Sequence, residues 1–254
     1  MSVFQSGSRE HTLQDLRGRI SGLRVRERRR EVLPTGLLPL DGLFPEGGVP
    51  VGSVVEWICP KSGHAAASLA MRSASGLLQK HGCLAVIDQG NEFYPASDVI
   101  HGVPLSRILL VRISETSSTA GLGKKIESHL RGDAQHQWLW ALEQTARSRG
   151  VRVVMAWLPR ATSAIVRRLQ LAVESSRVTV MLMRPAAALK QVSFADLRLM
   201  VERERSGLQK NSQADQIRVR LLKAKDGISD ERSVRLWQRP DGNFLDTADT
   251  ADDR

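Results

Sequence analysis

Only two cysteines, Cys59 and Cys83, occur in 254 residues, and they form no CxxC pair. That argues against a disulfide framework or a thiolate zinc site and points to a reducing compartment, the cytoplasm. Long apolar runs are also missing. The best candidates are Arg107 to Ile113, which carries two arginines, and Val151 to Leu158, which is eight residues long. Neither approaches the ~20 apolar residues of a membrane span. The opening stretch, MSVFQSGSREHTLQDL, has no apolar centre and no small-residue cleavage site, so a secretory signal is not expected. No HExxH, GxSxG or metal-spaced cluster appears, and the six histidines are scattered. The chain therefore offers no familiar hydrolytic or metal motif, and neither a metal nor a cofactor is expected.

What the chain has in excess is positive charge. The formal net charge is +10 and the pI about 10.4. Such a balance attracts polyanions at long range, so DNA is a candidate partner and the nucleoid a candidate location. Charge alone raises non-specific affinity without defining a site. The basic residues crowd near the start. Leu13, Leu16, Ile20 and Leu23 recur at helical spacing between Arg9 and Arg30, with seven arginines on the remaining faces. The leucines predict a helix packed on the domain. The cluster Arg24, Arg26, Arg28, Arg29 and Arg30 is the candidate contact for DNA or an acidic partner. At the other end, Asp246 to Arg254 holds four aspartates and no apolar anchor beyond alanine, and disorder is expected there.

A hydrophobic fraction of 41% is enough for one sizeable core. Domains usually run to about 100–200 residues, so one domain with extensions fits the length as well as two do. The segment Leu33 to Gly52 holds five glycines and four prolines and reads as a series of turns with one short apolar stretch. Strands and helices then alternate. Strands are predicted at Ser53–Ile58, Cys83–Asp88, Ile108–Ile113, Val151–Leu158 and Val178–Met183, and helices at Ala65–Lys80, Trp138–Ser148 and Ser163–Ser175. That alternation indicates βαβ units and a mostly parallel sheet covered on both faces. The last third changes character. Leu197–Glu202, Ile217–Leu222 and Val234–Gln238 alternate apolar and charged residues, the period of half-exposed strands that pair antiparallel at one sheet edge. Arg205 to Asp215 is polar and reads as a loop.

A strand, a glycine-containing turn and a helix is where an ATPase sets its phosphate loop. Backbone N–H groups there cradle phosphates, a lysine reaches the β- and γ-phosphates, and a Ser or Thr holds magnesium. The order of elements is right here, but the chemistry is not. The candidate loop is Cys59, Pro60, Lys61, Ser62, Gly63, His64 and Ala65. Gly63 is followed by His64 instead of lysine and by Ala65 instead of a hydroxyl. The loop is one residue short, and Cys59 occupies its opening glycine position. An ATPase also needs an acid at the end of a neighbouring strand. The strand from Val151 ends in Trp157-Leu158-Pro159, with no carboxylate. Asp88 ends another strand, with Glu92 nearby. A lone His64 at a helix start could touch an anion, but isolated histidines are more often structural.

The turn-rich segment and first strand resemble RecA recombinase. The matching elements are Thr35-Gly36, Leu40-Asp41, Gly47-Gly48, Pro50, Gly52 and Val55-Glu56. The stretch from Cys83 to Pro95 is similar to the RecA strand that ends in the catalytic glutamate, with Gly90 at that position and Glu92 displaced. A closer resemblance is to ImuA, the RecA-like accessory family of bacterial translesion-synthesis cassettes. It is carried by Trp138–Ser148, Val151–Arg160, Val166–Pro185 and Ile217–Gly227, within a diffuse likeness from Leu13 to Leu245. Glu115 to Gln135 departs from it by being long.

The resemblance implies an α/β fold: a RecA-like core with a mostly parallel sheet flanked by helices, antiparallel C-terminal edge strands and an N-terminal helix. The division it suggests is a basic N-terminal helix over 1–33, a degenerate RecA-like domain over 34–245 and the acidic tail over 246–254. It implies a protein that binds partners without catalysis. Those partners are an inactive Y-family polymerase homologue, through it the sliding clamp, and an error-prone DnaE-type polymerase, with RecA and DNA as further candidates and no membrane. The setting implied is the SOS response. A SulA-like inhibitor of the tubulin-like division protein is one alternative, although such chains are shorter and lack the long basic N-terminal helix. A divergent DNA-stimulated ATPase is the other, and His64 and Ala65 argue against it.

Overall fold

The computed structural model describes residues 30–60, 65–78, 82–94, 101–112, 124–204, 215–224 and 232–245, with the backbone alone over 124–135. The chain divides into two compact units, Met1–Glu31 and Val32–Arg254. Apart from Arg30 and Glu31, the described residues belong to the second unit.

Its first elements come from the glycine- and proline-rich segment. Strand β1 (Val32–Leu33) pairs antiparallel with β2 (Val49–Pro50), and helix α1 (Leu38–Leu43) lies between them. The sequence predicts only turns here. A helix forms because Pro39 stands in its first turn, where no backbone N–H is required. Asp41 adds to this, since its Oδ1 accepts from the Thr35 N–H and the Thr35 hydroxyl, each at 2.8 Å. Asp41 is buried, so both bonds are worth keeping. This is what the Thr35-Gly36 and Leu40-Asp41 pairs do physically. Leu37, Leu40, Leu43 and Phe44 go into the core.

The remaining elements follow in order: β3 (Val54–Cys59), α2 (Ala65–Leu78), β4 (Cys83–Asp88), β5 (Ile108–Arg112), α3 (Lys124–Arg147), β6 (Val151–Trp157), α4 (Ser163–Ser176) and β7 (Thr179–Pro185). The last third supplies β8 (Leu197–Glu204), β9 (Asp215–Ala224), β10 (Ser233–Gln238) and β11 (Phe244–Leu245). Nine of these strands form one sheet in the order β11-β10-β9-β8-β3-β7-β6-β4-β5. The run from β8 to β5 is parallel, and β9, β10 and β11 extend it antiparallel. The fold is therefore α/β, with a large, mostly parallel mixed sheet flanked by helices and antiparallel strands at its C-terminal edge.

Alternation along each central strand builds a core on both faces. Val55 and Trp57 of β3 join Leu69 and Leu77 of α2 and Leu40 and Leu43 of α1 on one face. Val54 joins Trp138 and Leu142 of α3 and Leu169 and Val173 of α4 on the other. Gly76, inside α2, has a specific reason. A Cβ there would run into the carbonyl of Thr35, so only glycine lets the helix lie this close to the turn before α1.

Two boundaries differ from the sequence reading. β1 begins at Val32, so Val32 and Leu33 belong to the sheet-bearing unit and not to an N-terminal helix running to residue 33. Helix α3 starts at Lys124, not at Trp138. Its first half, KKIESHLRGDAQHQ, carries no apolar stripe, and a stripe is what the periodicity argument detects. Much of the long Glu115–Gln135 stretch is thus helical backbone. Strand β8 pairs parallel with β3 as well as antiparallel with β9, so it joins the two halves of the sheet.

Candidate functional site

In an open α/β sheet, ligands collect beyond the carboxyl ends of the strands, where neighbouring connections leave in opposite directions. Here that place lies above β3, β4 and β6. β3 runs out at Cys59 and α2 begins at Ala65, giving the strand–turn–helix order of a phosphate loop. Cys59 and Pro60 are described. Lys61, Ser62, Gly63 and His64 lie outside the described residues.

The walls of this corner are apolar. Ala65 and Ala66 open α2 and are buried, and Cys59 packs on the same core. At the end of β6, Trp157 meets Phe93 edge to face, with ring centroids 6.4 Å apart. Both rings lean on the core that contains Ala65. An aromatic pair therefore closes the carboxyl end of β6.

The nearby acid is otherwise engaged. Asp88 ends β4 with a fully buried side chain. Its Oδ1 accepts from the Glu92 N–H at 2.9 Å, and its Oδ2 accepts from the Phe93 N–H and, at 3.2 Å, from Arg112 Nε. Asp88 thus closes the turn that brings Phe93 onto Trp157. The arginine of β5 balances its charge. Glu92 is exposed, and Gly90 sits in the turn between them.

The sequence reading missed a second corner, on the opposite face of β3. Glu56, in the middle of that strand, is buried between two arginines. Arg198 Nε of β8 lies 2.7 Å from one carboxylate oxygen, and Arg184 Nε of β7 lies 3.6 Å from the other. The guanidinium groups reach onward. Arg198 donates to the Ala188 and Gln191 carbonyls at 2.6 and 3.1 Å. Arg184 donates to Gln191 Oε1 at 2.6 Å and to the Ala161 carbonyl. Lys223 of β9 donates to the Ser193 carbonyl at 2.7 Å, and Asp196 accepts from the Val54 N–H at 2.9 Å. Burial pulls Arg184 below its usual basicity, Glu56 opposes that and Arg198 adds to it. Burial likewise lowers Lys223, with Arg198 adding to the effect while Asp196 and Glu56 oppose it.

This cluster is a brace. It pins the connection from β7 to β8, residues 186–196, across the end of β3. The pinned segment presents Val192 and Phe194 to solvent, and Arg167 of α4 lies 5.6 Å over the Phe194 ring. A glutamate inside VVEWIC was the available signal, because a carboxylate in a central strand must have partners.

Of the five N-terminal arginines, Arg24, Arg26, Arg28 and Arg29 lie outside the described residues, and Arg30 is half-buried. The acidic stretch 246–254 also lies outside them. Among the described residues, no group of three or more His, Cys, Asp or Glu gathers around one point that could hold a metal ion. Cys59 and Cys83 are free thiols. No described helix is long and apolar enough to cross a membrane. No protein-family model matches the chain, and no curated protein matches it either.

Proposed function

We propose that this chain is a non-catalytic, RecA-like accessory protein of error-prone translesion synthesis. In this reading it holds an inactive Y-family polymerase homologue and an error-prone DnaE-type polymerase together, in the cytoplasm at damaged DNA. The observation that carries the reading is the corner above β3. An ATPase keeps a lysine, a hydroxyl and a strand-end acid there. This chain has His64 and Ala65 after its glycine, and Trp157 packed on Phe93 at the strand end. The buried acid at the end of β4, Asp88, is engaged by its own turn and by Arg112. Phosphoryl transfer is almost entirely positioning and charge stabilisation, so losing those groups leaves little to drive it.

Three further features support the RecA-like part. The sheet is mostly parallel with antiparallel C-terminal strands. The glycine- and proline-rich segment wraps α2 through Gly76. Asp41 anchors the turn that the resemblance begins with. A fold of this kind keeps its packing surfaces when phosphate chemistry is lost, because they depend on apolar patches and not on loop residues.

Deleting the gene is expected to lower damage-induced mutation frequency as far as deleting the error-prone polymerase does, and the double deletion is expected to add nothing. Pull-down is expected to recover the inactive Y-family homologue. Normal damage-induced mutagenesis in the deletion strain, together with filamentation on overexpression, would decide for a division inhibitor of the SulA type instead.

A further inference from the structure

Among the described residues, β9 and β10 have one covered face and one open face, and β8 borders the open face with Met200 buried and Glu202 partly exposed. Leu199, Val201, Ile217, Val219 and Leu236 point into the core. Their neighbours point the other way, because side chains alternate along a strand. The helices on that side, α3 and α4, pack over β3, β4, β6 and β7. On the open face the side chains of Arg218, Arg220 and Arg235 are 37%, 40% and 58% exposed.

Strand register arranges these residues in rows. Glu202, Arg218 and Arg235 stand side by side across three strands, and Met200, Arg220 and Ser233 form the next row. Trp237, half-exposed, lies beside Gln216 in the row on the other side of Arg235.

An ordinary solvated ladder would alternate charge, and this one does not. Arg218 is directly opposite Arg235. Like charges directly opposite destabilise a sheet. Among the described residues on this face, two acids, Glu202 and Glu204, face the three arginines. Glu204 is shared by Arg235 at 2.9 Å and Arg218 at 3.7 Å, and Glu202 is 3.6 Å from Arg220. Only the first of these is within hydrogen-bond reach. The Nε groups of Arg218 and Arg220 are buried without a hydrogen bond among the described residues, and their Nη2 groups make only long contacts, to Ser233 Oγ and Met200 Sδ at 3.4 Å each.

We propose that this open face binds single-stranded nucleic acid, with Arg218, Arg220 and Arg235 on phosphates and Trp237 as the surface on which a base stacks. Guanidinium groups suit phosphate because their planar forks donate two parallel bonds. Arg218 and Arg220 are two residues apart on one strand, roughly 7 Å, and Arg235 is one strand away, roughly 5 Å, so the cations form a track instead of a point. A cationic track beside a partly exposed aromatic ring suits a sequence-tolerant single-strand site. An acidic peptide would use the arginines but give the indole no partner. The proposal does not depend on the scaffold reading, since a chain with any cellular role could carry such a face.

The test is a fluorescence-anisotropy titration of the full chain with a labelled 20-nucleotide oligo-dT at several salt concentrations. The Arg218→Gln, Arg220→Gln, Arg235→Gln triple variant is expected to bind at least tenfold more weakly. Its log–log salt slope is expected to shrink by about 2, since each single-strand phosphate contact contributes about 0.7. Trp237→Ala is expected to weaken binding about tenfold, the worth of one stacked base, with the slope unchanged. The same three arginines changed to lysine are expected to keep the slope, which guards against a folding defect, and circular dichroism melts check each variant. Three results would overturn the proposal. One is no oligonucleotide binding by the unaltered chain. Another is an unchanged slope in the glutamine triple, with the whole loss appearing instead when Arg24, Arg26, Arg28, Arg29 and Arg30 are changed to Gln. The third is equal displacement of the oligonucleotide by polyglutamate with no effect at Trp237, which would assign the face to an acidic protein.

Discussion

The two faces of strand β3 are built on opposite terms. Toward α2 the strand presents Val55 and Trp57 and ends at Cys59, and the described residues packed there include Ala65, Ala66 and the Phe93–Trp157 pair. On the other face Glu56 sits between Arg184 and Arg198, and their donors reach the backbone of residues 186–196. Among the described residues, charge is concentrated on the face where it holds the chain itself. Buried ion pairs are weak sources of net stability but strict determinants of geometry, because an unpaired partner is so costly. The retained charges thus set the position of the β7–β8 connection.

The sharpest way to break this contrast is at Glu56. Glu56→Gln leaves two buried guanidinium groups without their counter-ion and is expected to cost about 3–5 kcal/mol, read by urea or thermal unfolding. Replacing Glu56, Arg184 and Arg198 together by Leu, Met and Met is expected to recover most of that loss, since apolar substitutes of similar volume are often neutral. The recovered protein is nevertheless expected to exchange its amide hydrogens faster over residues 186–196, where the brace has been removed. An unchanged exchange rate there would show that the arginines are not what holds the segment.

The opposite face is held by close packing. Gly76→Ala would push a methyl group into the Thr35 carbonyl. The loss is expected to be about 1–3 kcal/mol, the usual cost of overpacking, even though alanine is the better helix former. A neutral or stabilising result would mean that α2 can slide away from the segment before α1, and that this face is looser than the distances imply.

Much of this was legible in the sequence for identifiable reasons. The continuous apolar runs at Cys83–Asp88 and Val151–Trp157 marked buried parallel strands. The alternation in Ile217–Leu222 and Val234–Gln238 marked half-exposed antiparallel ones. Helix α1 was hidden because Pro39 and Gly42 read as turn formers, and only the tertiary contact between Asp41 and Thr35 reveals why a helix survives. The polar half of α3 was hidden because it has no stripe. At the candidate site, the missing lysine, hydroxyl and acid were visible as letters. The Trp157–Phe93 contact and the Glu56 brace were not, because each joins residues far apart in the chain, and the Asp88 turn was not, because nothing in the letters shows which backbone groups a strand-end carboxylate will take.

The proposed non-catalytic role requires that the corner between Cys59 and Ala65 perform no phosphoryl transfer. The most direct measurement is phosphate release by the purified full chain with magnesium and ATP, with and without single-stranded DNA. The account predicts no turnover above the buffer blank in either condition, and none after His64→Lys with Ala65→Thr, because Trp157 still stands where the acid is needed. Turnover by the unaltered chain that rises with DNA and disappears on His64→Ala or Glu92→Gln would contradict it.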